Sequence, residues 1–125
     1  MNTDLYEKGL KIRREVVGDA YVDLALKNAD EFSMPMQKLV TEFCWGEVWS
    51  RPGIDRKTRS MLNLSMIAAL NRTEELKAHV RGAINNGVSK AEICEIFLQV
   101  AVYCGMPAGL GGFKVAKEVF KEMGI

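Results

Sequence analysis

The sequence has only one histidine and three cysteines among its 125 residues, and this scarcity limits the metal and redox chemistry open to it. One histidine cannot supply a two-histidine metal site, and no C-x-x-C pair exists to bind zinc or form a redox dithiol. Cys94 and Cys104 lie ten residues apart, a rise of about 15 Å on one helix, which is too far for a disulfide. We therefore expect no metal site, and buried reduced thiols in a cytoplasmic protein.

Neither sign of charge dominates, and no uninterrupted apolar run is long enough to cross a membrane. Seventeen basic and sixteen acidic residues give a formal charge of +1, which disfavours nucleic acid and anionic membranes as partners. Residues 96–113 carry no charge, but Gln99, Pro107 and four glycines interrupt them. The first residues have no apolar core of a targeting peptide. No glycine-rich phosphate loop follows a strand, so we expect no nucleotide or flavin cofactor.

Sustained two-residue alternation is also missing, whereas several segments show helical spacing. We predict an all-α bundle of six or seven helices in a single domain over residues 1–125. Gly105 and Pro107 are expected to end the penultimate helix, and the glycines that follow are expected to form a turn. The predicted helices cover about 3–16 and 20–28, then a segment from after Pro35 to the aromatic residues 45–49, then segments containing 61–70, 73–85, 89–103 and 113–123.

Two of these helices, around residues 61–70 and 93–103, are apolar on nearly every side. Such helices lie either in the middle of a bundle or in a subunit interface. A chain this short cannot readily cover both by itself, so we expect self-association.

One helix face combines a base, an acid and the only histidine. Arg72, Glu75 and His79 fall at i, i+3 and i+7, within an arc of roughly 60°. Glu75 is expected to hold the imidazole and favour its protonated form, and Arg72 to lie in the first helical turn. This face could bind an anion and move a proton. The alternative is a solvated face with a helix-stabilising ion pair and a structural histidine.

Three motifs between residues 45 and 108 resemble the carboxymuconolactone decarboxylase family, and the resemblance extends more weakly to both termini. They are WGEVWSRPG at residues 45–53, H-x-R-G-A-x-N-N-G at 79–87 and YCGMPA at 103–108. The resemblance implies a compact alkylhydroperoxidase D-like helical fold, assembled into homo-oligomers such as hexamers or trimers.

The resemblance implies two possible chemistries. The peroxidase branch uses a C-x-x-C pair with a histidine four residues beyond it; here the histidine matches His79, but Arg72 and Glu75 occupy the cysteine positions. That branch's glutamate, twelve residues before its first cysteine, corresponds to Ser60. A thiol peroxidase needs a thiolate and a resolving partner, so the decarboxylase branch is favoured. A peroxiredoxin-like protein, or a member acting on another small carboxylated substrate, remains the alternative.

The decarboxylase branch implies a carboxy-lyase that converts γ-carboxymuconolactone, or a related carboxylated lactone, to an enol-lactone without a cofactor. Our hypothesis makes His79 the acid, oriented by Glu75, with Arg72 or Arg51 binding a substrate carboxylate. Glu47 is either a second acid or base, or part of a structural turn paired with Arg51. Trp45 and Tyr103 are further candidates for contact with the substrate. Three basic residues are weaker candidates for binding an anion, and each is more simply interpreted as a surface charge: Arg59, Arg81 and Lys114.

The sequence departs from the family at one position near the proposed pocket. Typical decarboxylases have an asparagine where Leu110 stands, so a possible donor is replaced by an apolar side chain. The pocket therefore either accepts a more apolar lactone or never used this residue.

Overall fold

The computed structural model describes residues 3–125, and the elements in this range are helices without a strand, which confirms the all-α prediction. Backbone contacts divide the chain into two units, one ending at Asp55 and one comprising Arg56–Ile125. The single-domain expectation stays a prediction. The helices are α1 (Thr3–Val17), α2 (Asp19–Lys27), α3 (Met34–Leu39), α4 (Arg56–Ala69), α5 (Thr73–Asn85), α6 (Lys90–Cys104) and α7 (Met106–Met123), with a π-helical segment (Val40–Val48) directly after α3.

In the first unit, α1 packs closely against the π-helical segment. A Cβ added to Gly46 would lie 2.7 Å from the Leu5 carbonyl oxygen, and one added to Gly9 would overlap the Thr41 carbonyl oxygen. Only glycine permits this approach of two backbones. Arg13 of α1 is buried near this contact and donates to Gln37 Oε1 at 2.9 Å and to Thr41 Oγ1 at 3.3 Å.

In the second unit, α4 to α7 enclose a core whose fully buried members include Leu64, Val80, Phe97 and Val119. Its helix ends follow the local sequence. Gly87 has φ +90°, and Val88 N–H bonds the Ala83 carbonyl at 2.9 Å, which closes α5 as a Schellman cap.

The start of α6 also follows the local sequence. Ser89 and Glu92 form a capping box, in which the Ser89 hydroxyl accepts from the Glu92 amide and the Glu92 carboxylate accepts from the Ser89 amide. This confirms the helix start that the sequence predicts.

The turn predicted after Pro107 is wrong, because α7 begins at Met106 and contains these residues. Pro107 occupies the first turn of α7, where its missing N–H removes no helical hydrogen bond. A Cβ on Gly112 would lie 2.8 Å from the Phe97 ring, and one on Gly109 would overlap Ala101. These glycines therefore bring α7 close to α6 instead of forming a turn. Pro35 likewise lies in the first turn of α3, which begins at Met34.

Candidate active site

His79 lies in the middle of α5, half-buried between the buried side chains of Ala78 and Val80. Its Nδ1 is 3.4 Å from Nδ2 of Asn63 on the neighbouring helix α4. The imidazole is therefore anchored from a second element and is not an isolated surface group.

Burial lowers the pKa of His79 from 6.5 to about 4, while the Glu75 carboxylate raises it by a smaller amount. The ring is consequently neutral at pH 7. The expected direction of the Glu75 effect is confirmed, because its carboxylate raises the pKa of His79, but burial outweighs it. Glu75 is exposed, so water screens its charge, whereas the half-buried imidazole loses the hydration that a cation needs.

Arg72 lies just outside α5, at its N-cap, so its predicted place in the first helical turn is wrong. Asn71 adopts φ +58°, and the Arg72 amide bonds the Ile67 carbonyl at 3.3 Å, which closes α4. The Arg72 carbonyl then accepts from the Leu76 amide at 2.9 Å and opens α5. The Arg72 side chain is exposed, as is that of Glu75 in the first turn of α5, and both residues precede the half-buried His79.

Other basic side chains of the second unit lie either in surface ion pairs or apart from His79. Arg81 donates to Glu122 of α7 at 2.9 Å, and Lys77 lies 3.4 Å from Glu118. These pairs are a surface network between α5 and α7. Arg59 is half-buried on α4, and Lys114 is exposed on α7.

Tyr103 is 82% exposed at the end of α6, where it lines a groove of about 470 Å³ formed with α4. His79 is not among the lining residues, so the structure does not bring Tyr103 and His79 into one cavity. The lining is largely apolar, with Met61, Met66 and Ile96 among its members. An apolar groove of this kind does not suit a carboxylated substrate. Leu110, the family departure, is 70% exposed on α7.

In the first unit, the aromatic motif buries its tryptophans and exposes its charges. Trp45 and Trp49 are both buried with ring centroids 4.8 Å apart, whereas Glu47 and Arg51 are exposed. Glu47 therefore does not lie in a closed aromatic pocket of this unit, and its role as a second acid stays a prediction.

Sequence reasoning missed Glu42, which is the buried acid of the π-helical segment. Its side chain is 9% exposed, and its Oε1 has no hydrogen-bond partner within residues 3–125. The signal was present, because Glu42, Trp45 and Trp49 fall at i, i+3 and i+7, the spacing that singled out His79.

The expectation of buried thiols is wrong for Cys104, which is exposed. All three are unpaired, and burial raises the pKa of the Cys44 thiol while Arg13 lowers it less. A raised pKa removes the thiolate that acts as nucleophile. Cys94 is half-buried.

No three His, Cys, Asp or Glu side chains in residues 3–125 converge to hold a metal ion, and no helix there is long and apolar enough to span a membrane.

Comparison with known proteins places the chain among its relatives. Residues 35–118 match the family model described as the carboxymuconolactone decarboxylase family. A 4-carboxymuconolactone decarboxylase of Acinetobacter baylyi is 43% identical over 96% of this chain and 90% of its own length. The nitrosuccinic acid decarboxylase npaB of Metarhizium robertsii is 47% identical over 95% of this chain and 83% of its own length. The chain therefore belongs to the carboxymuconolactone decarboxylase family.

Proposed function

We propose that this protein decarboxylates a small dicarboxylic acid without a cofactor, with γ-carboxymuconolactone as the first substrate to test. Both relatives that align over nearly the whole chain are decarboxylases. This confirms the expectation of a carboxy-lyase of this family. The exact substrate, its conversion to an enol-lactone and the residue roles below are parts of the proposal.

The substrates named for the two relatives share a chemical pattern that this site would have to serve. Each carries two carboxylates, one of which can leave from a carbon next to an electron-withdrawing group. In the lactone, the electron pair released with carbon dioxide spreads through the ring double bond to the carbonyl oxygen. In nitrosuccinic acid it spreads into the nitro group. The site therefore needs a cation for the retained carboxylate and a donor where negative charge develops.

The observation that carries the proposal is the neutral, half-buried imidazole of His79, anchored by Asn63, with Glu75 one turn before it and the exposed Arg72 at the start of the same helix. A neutral imidazole donates one N–H hydrogen bond, and in a partly dehydrated place such a bond stabilises developing charge strongly. We therefore assign His79 as the donor to the oxygen that gains charge, in place of the resting acid that the sequence predicted. The proton that the carbon takes up comes from water, one for each carbon dioxide released.

Arg72 is the proposed ligand of the carboxylate that the product retains. It is exposed at the start of α5, seven residues or about two helical turns before His79, with Glu75 between them. Its planar guanidinium matches a carboxylate with two parallel hydrogen bonds. Arg51 stays the alternative ligand, and Trp45, Glu47 and Tyr103 stay candidate substrate contacts.

The test is to follow loss of γ-carboxymuconolactone, and separately of nitrosuccinic acid, by the wild-type protein and by His79→Gln and Arg72→Ala. We expect kcat to fall roughly a hundredfold for His79→Gln, as for loss of one oxyanion donor. Arg72→Ala should chiefly raise KM. Lys77→Ala is the matched control, because Lys77 is a cation of the same helix held in a surface ion pair. Turnover of neither acid by the wild type would contradict the proposal.

A thiol peroxidase is the alternative from the sequence, and the site gives it little support. Arg72 and Glu75 stand where that branch has its cysteines, and burial raises the pKa of Cys44. Replacing Cys44, Cys94 and Cys104 together by serine should leave any peroxide turnover unchanged. A loss of peroxide turnover in that variant would reinstate the thiol mechanism.

Self-association and a cytoplasmic location also remain proposals. Apolar side chains of α4 and α6 are exposed, among them Leu62, Met66 and Val102, and Leu70 directly after α4 is exposed as well. Exposed apolar surface favours contact with further copies. Sedimentation velocity should give a trimer or hexamer, and Met66→Glu should shift it toward smaller species. A wild-type monomer at micromolar concentration would contradict this.

A further inference from the structure

Helix α4 directs two polar side chains at α5, one turn apart. Ser60 is buried, and its hydroxyl accepts a hydrogen bond from Asn86 Nδ2 at 2.9 Å. Asn63, three residues later, places its own amide nitrogen 3.4 Å from His79 Nδ1. The first pair joins α4 to Asn86, the C-cap of α5, and the second joins α4 to the imidazole in the middle of α5.

The Asn63 contact has a consequence for the proton on the ring. A side-chain amide nitrogen has only donor hydrogens, so the atom that accepts from it must carry a lone pair. With the amide in this orientation, Nδ1 of His79 has to be the nitrogen without a proton, whereas a flipped amide would bring Oδ1 to Nδ1 and accept a proton from it. A neutral imidazole has one proton, and it must then reside on Nε2.

We propose that Asn63 is a positioning residue that holds His79 in the Nε2–H tautomer, so that the ring offers a hydrogen-bond donor to a carboxylated substrate. The donor role rests on the proposed function, whereas the tautomer does not. Protonation of Nδ1 would break the Asn63 hydrogen bond, so Asn63 also keeps the ring in the form that donates without carrying charge.

The tautomer is open to direct measurement, because the chain has one histidine and each ring nitrogen gives a single resonance. In the 15N-labelled wild type at pH 7.5, we expect Nδ1 to resonate as an unprotonated nitrogen and Nε2 as an N–H. Asn63→Leu removes the donor and should shift the tautomer ratio by roughly fivefold, the equivalent of one ordinary hydrogen bond. Asn63→Asp replaces the donor by an acceptor and should reverse the preference.

Ser60→Ala is the matched control, since it removes the other α4–α5 polar contact and leaves His79 untouched. Ser60→Ala should keep the wild-type tautomer. If the tautomer depended only on how tightly the two helices pack, Ser60→Ala would change it as well. Thermal unfolding of each variant checks that it is folded. A wild-type ring with its proton on Nδ1, or a ratio unchanged in Asn63→Leu, would overturn the assignment without any activity measurement.

Turnover of γ-carboxymuconolactone then tests the donor role. We expect each Asn63 variant to lower kcat in proportion to the fall in its Nε2–H fraction, so that Asn63→Asp, which reverses the preference, loses more than Asn63→Leu. KM should change little, because the donor acts on charge that develops in the transition state. Ser60→Ala should keep the wild-type kcat. If no carboxylated acid is turned over by the wild type, the proposed function fails while the ring resonances still decide the tautomer. A reversed tautomer with unchanged kcat would overturn the donor role alone.

Discussion

The low pKa of His79 makes the stability of the folded chain depend on pH in a defined window. The unfolded histidine titrates near 6.5, whereas burial lowers the pKa of the folded one to about 4. Above pH 6.5 both states are neutral, and the contribution of this group is fully present. Between pH 6.5 and 4 the unfolded state takes up a proton that the folded state refuses, so stability falls as the pH falls.

The size of the effect follows from the gap between the two pKa values. At about 1.4 kcal/mol for each pH unit, the contribution lost is about 2 kcal/mol at pH 5 and about 3 kcal/mol at pH 4. This is a large fraction of the stability of an ordinary domain.

Urea unfolding of the wild type and of His79→Gln, at one protein concentration and at several pH values from 7 to 4, measures this contribution. Carboxylates titrate in both proteins, so the difference between their free energies of unfolding isolates the histidine. That difference should fall by about 2 kcal/mol from pH 7 to pH 5. A difference that stays flat would refute the burial argument, and with it the neutral imidazole of the proposed mechanism. An NMR titration of the single ring would report the folded pKa independently.

Three further predictions follow from particular contacts. Glu75→Gln should lower the pKa of His79 further, because the carboxylate raises it; an NMR titration showing a rise would contradict this. Gly112→Ala should lower the free energy of unfolding by about 1–3 kcal/mol, because the added Cβ meets the Phe97 ring. Gly111→Ala is the control, since the nearest atom to its Cβ is Asn71 Oδ1 at 4.0 Å, and it should raise the free energy of unfolding by up to about 1 kcal/mol. Thermal unfolding measures both. Glu42→Leu should raise the free energy of unfolding by about 1 kcal/mol, because it removes a buried oxygen without a partner in residues 3–125; destabilisation in urea would show that the carboxylate is satisfied.

The helix ends around α5 and α6 could be predicted from the sequence, because capping depends on neighbouring residues. Gly87 and the pair Ser89 and Glu92 fix the junction of α5 and α6 through hydrogen bonds among residues a few positions apart. Burial and helix-to-helix distance are not local in this sense. The sequence shows that Glu75 is four residues from His79, but not that α4 covers one side of the ring and removes its water. The Gly109 and Gly112 positions were likewise interpreted as a turn, because only the face of α6 shows why a side chain is excluded there.

The π-helical segment shows the same limit at a candidate site residue. Glu47 attracted attention because two tryptophans flank it in the sequence, yet neighbours at i±2 lie on opposite sides of a helix. The tryptophans instead share their buried side with Glu42, and the Trp49 amide bonds the Cys44 carbonyl five residues back at 3.0 Å. Wide turns of this kind are rare and occur frequently at functional sites. A buried carboxylate oxygen without a partner costs stability. Because Glu42 Oε1 has none among residues 3–125, Glu42 is the acid of this segment to mutate before Glu47.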